Sequence, residues 1–140
     1  MSGYKAFNKM KSKILKQNEE TFGSELRQKY GNDIVDNSNK KFEAMNENEY
    51  ERMENLLQDI NNSLKEGFMA KDPAGSSAQK ACELHKDLLV MTWPENTYSK
   101  QSQLALVEGF LQDERFIAYY DKIAEGCTKF FVEAMRVYCK

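Results

Sequence analysis

The side chains with unusual chemistry to offer in this 140-residue chain are one histidine, one tryptophan and three cysteines. His85 falls in a run of helical spacing (Ala78, Ala81, Cys82, His85, Leu88, Leu89, Thr92), on the face that turns inward. As a structural residue it would satisfy its ring nitrogens on a backbone or hydroxyl partner in the core. As a functional one it would be a polar handle at the base of a cleft, or a haem ligand in a globin-like bundle. Trp93, one residue before Pro94, is either a corner plug or a stacking wall. A helix ends there, because the residue before a proline is pushed out of the α region, and this favours an accessible ring. Cys82, Cys127 and Cys139 are odd in number, contain no CxxC and have no metal-ligand spacing to His85. They read as thiols of a reduced, cytoplasmic protein, with Cys82 and Cys127 acting as small hydrophobes on helix faces. Serine-hydrolase, zinc-protease, phosphate-loop, dinucleotide and EF-hand motifs are all missing from the sequence. Glu43, Glu47, Glu49, Glu51 and Glu54 read as solvated helix faces. No catalytic residue, cofactor or metal is expected.

These residues concentrate in positions 84–123, which read as an apolar helix, a break at Pro94, a second helix and an aromatic turn near Arg115 and Phe116. Two helices meeting at a proline corner leave a wedge, and clustered aromatics (Trp93, Tyr98, Phe110, Phe116, Tyr119, Tyr120) make an apolar pocket there plausible. Upstream, Phe7, Met10, Ile14, Leu15, Phe22, Leu26 and Tyr30 have helical spacing, interrupted at Gly23-Ser24 and stopped at Gly31. Positions 31–48 carry only Ile34, Val35, Phe42 and Met45 as apolar anchors. Such a stretch is expected to be mobile, because it cannot offset its ordering entropy.

Asn46 with Glu49 opens a firm helix with Tyr50, Met53, Leu56, Leu57, Ile60 and Leu64 on one face. Gly67 is expected to end or weaken it, and Asp72-Pro73-Ala74-Gly75 to turn the chain. Ser76 with Gln79 opens the next helix, whose early small residues permit close helix approach. Thr97 or Ser99 caps a helix bearing Leu104, Val107, Phe110 and Leu111. DERFIAYY from Asp113 reads as turn-like, and a last helix runs from about Asp121 to Tyr138, burying Ile123, Cys127, Phe130, Phe131, Ala134, Val137 and Tyr138. No stretch alternates like a half-buried strand. The expectation is one all-α domain of five or more helices.

Composition agrees. Hydrophobic residues make up 41% and aromatics 11%, a globular balance. A net charge of −2 argues against a nucleic-acid surface on this chain alone. No apolar run is long enough to span a membrane, and the N-terminus lacks a secretory h-region. Its lysines, Lys5, Lys9, Lys11, Lys13 and Lys16, suit an ordinary helix or tether better than a membrane anchor.

Across most of its length the chain resembles the TipAS-type domain, the globin-like antibiotic-recognition module often found after a MerR-type DNA-binding domain. The segments that carry the likeness are RQKYG (27–31), NENEYERMENL (46–56), LHKDLLVMTW (84–93), LVEGFLQDERFIAYYDKIAEG (106–126) and AMRVYC (134–139). The DERF…YDKI…G portion is the most specific. The resemblance implies non-catalytic binding of bulky lipophilic or peptide-derived antibiotics in a cleft between helices, with mobile N-terminal helices folding over the ligand. By that correspondence the cleft draws on His85, Leu88, Leu89, Thr92, Trp93, Tyr98 and Phe110, and the lid includes Phe42 and Met45. The implied division is a mobile lid over 1–45 and a stable helical core over 46–140.

Two departures bear on the ligand. TWPEN replaces the aromatic-rich pair that commonly follows the central helix. Ala105 stands where some members carry a cysteine that traps a dehydroamino-acid antibiotic, so binding is expected to be reversible. A MerR-type DNA-binding domain and coiled coil would need about a hundred residues ahead of Gly3. The chain is therefore expected to be an effector domain taken from a longer regulator, or a stand-alone sequestering protein. The alternative class is a protein-interaction module whose groove, made adaptable by Met45, Met53, Met69 and Met91, takes a partner's amphipathic helix.

Overall fold

A computed structural model describes residues 2–140. It is all-helical among the described residues: α1 (Ser2–Asn18), a π-helical turn (Glu19–Gly23), α2 (Ser24–Tyr30), α3 (Asn32–Glu43), α4 (Glu47–Ala70), α5 (Ser76–Thr92), α6 (Lys100–Gly109) with a short 3₁₀ turn (Phe110–Gln112), α7 (Glu114–Asp121) and α8 (Cys127–Tyr138). No helix among them is long and apolar enough to cross a membrane. The chain divides into two compact units, one made of Met1–Arg52 with Thr92–Thr97, the other of Met53–Met91 with Tyr98–Lys140. The Trp93 corner groups with the N-terminal helices.

In the first unit, α1 and α2 are joined by the π turn because Gly23 leaves room for Glu19. A Cβ at Gly23 would lie 2.0 Å from Glu19 Oε2. Arg27 accounts for the placement of that carboxylate: its Nε donates to Glu19 Oε1 at 2.8 Å, and its other nitrogens reach Asp36 Oδ1 at 2.8 Å and Asn32 Oδ1 at 3.2 Å. Gly31 ends α2 at φ +88°, a left-handed conformation that favours glycine. The stretch after it, poor in apolar anchors, forms a regular helix, α3, with Val35 buried. Polar anchors hold it. Lys11, only 3% exposed, donates from Nζ to Glu43 O at 2.5 Å and Met45 O at 2.6 Å, closing the last turn of α3 onto α1.

Asn46 and Glu49 form the expected reciprocal cap, with Glu49 N–H donating to Asn46 Oδ1 at 2.8 Å and Asn46 N–H to Glu49 Oε1 at 3.4 Å. Gly67 does not end α4, which runs on to Ala70. Its role is close approach: a Cβ there would sit 3.0 Å from both Cβ and N of Ala78 on α5. Ser76 and Gln79 do not make the cap expected of them. The Gln79 side chain donates instead to Pro73 O at 2.8 Å and Ala134 O at 3.1 Å. Ser99, rather than Thr97, caps α6, accepting from Ser102 N–H at 3.0 Å.

DERFIAYY is a full helix, not a turn, because Asp113 caps it by accepting from Arg115 N–H at 3.0 Å. The last helix starts at Cys127 instead of Asp121, since Gly126 takes φ +90° and Asp121 Oδ1 accepts from Thr128 N–H at 2.9 Å as α8 opens. The core of the second unit is built from Ile60, Leu64, Ala78, Ala81, Cys82, Val107, Phe110, Tyr120 and the inner face of α8, with Phe131 and Met135 fully enclosed. Val137 and Tyr138, expected on that inner face, are half-buried, while Thr128, Val132 and Met135 are sealed.

Candidate functional site

The residues singled out for binding fall in both units. Thr92, Trp93, Phe42 and Met45 belong to the first, and His85, Leu88, Leu89, Tyr98 and Phe110 to the second.

In the first unit, α3 is fastened to the proline corner. Ser38 Oγ donates to Thr92 O at 3.2 Å and Lys41 Nζ to Trp93 O at 2.8 Å. A helix leaves its last carbonyls without internal partners, and a cation near that end is favoured by the helix dipole, so Lys41 suits this position. Thr92 and Trp93 are half-buried. A 330 Å³ cleft lies here, lined by Asn37, Lys41, Pro94 and Glu95. Within the same unit Phe42 meets Tyr50 edge-on at 6.1 Å, and Phe7 meets the same Tyr50 ring at 5.7 Å. Met45 is buried and lines a larger cleft of 590 Å³ with Phe7, Lys11 and the residues from Glu43 to Asn48. The expected lid residues and the corner therefore lie in one unit.

In the second unit, His85 and Phe110 lie deep. Phe110 is 4% exposed, stacked 4.3 Å from Phe116 and 5.4 Å from Tyr120. His85 is 3% exposed, its ring edge-on to Phe131 at 5.3 Å. Burial pushes its pKa down to about 4, so the imidazole is neutral at physiological pH. Its Nδ1 lies 2.9 Å from Nε2 of Gln103, a fully buried amide that also donates to Cys82 O at 3.2 Å and accepts from Tyr98 Oη at 2.6 Å. Leu89, four residues beyond His85 on α5, is buried, and Leu88 and Tyr98 are half-buried. Burial raises the Tyr98 phenol, which therefore stays a donor.

Sequence reasoning passed over Lys11, Gln103, Ser38 and Lys41. A signal existed for the first two. Lys11 follows Phe7 by four and Gln103 precedes Val107 by four, so each is a polar residue in an apolar register. Ser38 and Lys41 carried no such mark. No group of three or more His, Cys, Asp or Glu among the described residues is arranged to hold a metal ion.

A family model, that of the TipAS antibiotic-recognition domain, matches residues 22–138. The chain belongs to the TipAS antibiotic-recognition family, a family of recognition domains rather than of enzymes. No curated protein and no solved structure gives a significant match to it.

Proposed function

We propose that this chain reversibly binds bulky lipophilic or peptide-derived antibiotics, acting in the cytoplasm as the effector domain of a MerR-type transcription regulator or as a stand-alone drug-sequestering protein. The observation that carries the reading is the family match across α2 to α8. The binding residues are His85, Leu88, Leu89, Thr92, Trp93, Tyr98 and Phe110, with Phe42 and Met45 in the lid. Trp93 and Leu88 supply apolar surface, at about 25 cal/mol per Å² gross. The bonds from Ser38 and Lys41 to the corner carbonyls support a coupling in which occupancy at Trp93 orders α3. In a longer regulator that ordering would bias an attached DNA-binding domain, and in a lone chain it would lower free drug.

Reversibility is favoured by the thiols themselves. Ala105 is exposed and has no nucleophile, while burial pushes Cys82 up to about 12 and Cys127 up to about 11. The test is a titration of thiopeptide and other bulky antibiotics followed by fluorescence of the single tryptophan, with far-UV circular dichroism alongside. Saturable quenching or enhancement is expected, and Trp93→Ala should weaken binding about tenfold with helix content kept. Silence across the panel with folded protein would overturn the proposal in favour of a protein partner.

A further inference from the structure

The hydrogen bonds around His85 constrain more than its burial. Gln103 offers an oxygen and an NH₂ group, and its neighbours decide which faces where. The Cys82 carbonyl, 3.2 Å away, can only accept, so the NH₂ must face it. The Tyr98 hydroxyl, 2.6 Å from the other end, is then the donor to Oε1. A flipped amide would set oxygen against the Cys82 carbonyl. With the NH₂ so placed, Gln103 donates to His85 Nδ1 at 2.9 Å, which leaves that nitrogen without a proton and puts the ring proton on Nε2. Nε2 has no partner among the described residues. It is not sealed off either, since no fully buried side-chain nitrogen or oxygen among them lacks a partner. The small remaining exposure of His85 therefore includes Nε2, while Phe131 holds the ring plane at 87° to its own.

We propose that Gln103, oriented by Cys82 O and Tyr98, is a positioning residue that fixes His85 as its Nε2–H tautomer, presenting a single neutral hydrogen-bond donor to an acceptor group of the ligand. The complementary chemistry is a carbonyl oxygen or an azole nitrogen. Ammonium groups and other donors are disfavoured at this point because a protonated Nε2 offers them no acceptor. The inference rests on the antibiotic-binding reading for the ligand's presence and on the Gln103 geometry for its polarity.

His85 is the only histidine, so one ring spin system reports the answer. Two-bond proton–nitrogen spectra of the ¹⁵N-imidazole-labelled chain at neutral pH should show a protonated Nε2 and a bare Nδ1. In Gln103→Glu, which offers only acceptors, the proton should move to Nδ1 or both nitrogens should carry one. In Gln103→Met, a mixture of tautomers should appear. Adding a thiopeptide antibiotic should shift the wild-type Nε2–H resonance, and the affinity of Gln103→Glu should fall at least about tenfold. A protonated Nδ1 in the wild type, or a retained Nε2–H form in Gln103→Met, would refute the role of Gln103. An unchanged affinity in a Gln103→Glu chain whose tautomer has switched would do the same. The expected wild-type tautomer with no response to any thiopeptide would instead sink the antibiotic reading, and with it the donor's purpose.

Discussion

Lys11 should hold α3 in place, and its removal should be felt there and not in the C-terminal core. The residue is 3% exposed, and its ammonium donates at 2.5 and 2.6 Å to the carbonyls of Glu43 and Met45 and lies 4.7 Å from the centre of the Phe7 ring. Each bond from a charged donor is worth about 1.5–3 kcal/mol, so the pair contributes roughly 3–6. Burying the ammonium costs several kcal/mol in return. Lys11→Met keeps most of the stem's packing, removes both terms and leaves a buried carbonyl without its donor, at about 1–3 kcal/mol. The net loss is about 2–3 kcal/mol, confined to the first unit. Native-state hydrogen exchange reads it directly. Amides in α3 should lose protection by about 30- to 150-fold, while those around Phe131 and Met135 keep theirs. Equal loss in both units, or none in α3, would refute the claim that this side chain fastens α3.

Three further outcomes follow from the same physics. Gly67→Ala gains about 1 kcal/mol of helix propensity but drives a Cβ to 3.0 Å from the Ala78 backbone nitrogen, which cannot yield cheaply. Thermal unfolding should show a net loss of about 1–2 kcal/mol, and stabilisation would mean the two helices are not in that close contact. His85 titrates near pH 4 when folded against 6.5 as its ordinary value, so the unfolded chain binds the extra proton between those values. Stability should therefore fall with pH from 6.5 toward 4, by about 3 kcal/mol in all, and His85→Gln should lose that part of the slope in urea titrations. Intact-protein mass spectrometry after incubation with a dehydroamino-acid antibiotic should show unmodified chain. A denaturation-resistant adduct mapped to Cys82 or Cys127 would contradict the inertness assigned to the buried thiols.

Helix periodicity made most of the fold legible. Leu56, Ile60 and Leu64 on α4, and Ala78, Ala81, Cys82, His85 and Leu89 on α5, lie on the buried faces their spacing indicated. Misjudged boundaries share one cause, which is that the deciding partner was far along the chain or had a second use. Gly67 looked like a stop signal, yet its missing side chain serves a neighbouring helix. Asp113 looked like part of a turn, yet the same oxygen that accepts from Arg115 N–H starts a helix. Positions 31–48 carry few apolar anchors, and the contacts that hold α3 are largely polar ones. A count of hydrophobes does not register an ammonium group closing a helix end.

The site residues were harder to rank, for a related reason. Aromatic type and position cannot separate a wall from a core, and two of the residues expected at the cleft, Phe110 and Trp93, differ in setting. Phe110 has both neighbouring rings stacked on it, whereas Trp93 is half-buried with its carbonyl held by Lys41. An apolar ligand gains affinity from surface that is still wet in the free protein. Trp93 retains such surface and Phe110 has almost none. Replacing Trp93 should therefore cost affinity at little cost in stability. Phe110→Ala should cost about 3–5 kcal/mol of stability, read in urea unfolding, whatever it does to binding. A Phe110→Ala chain of native stability would reverse the order argued for the two.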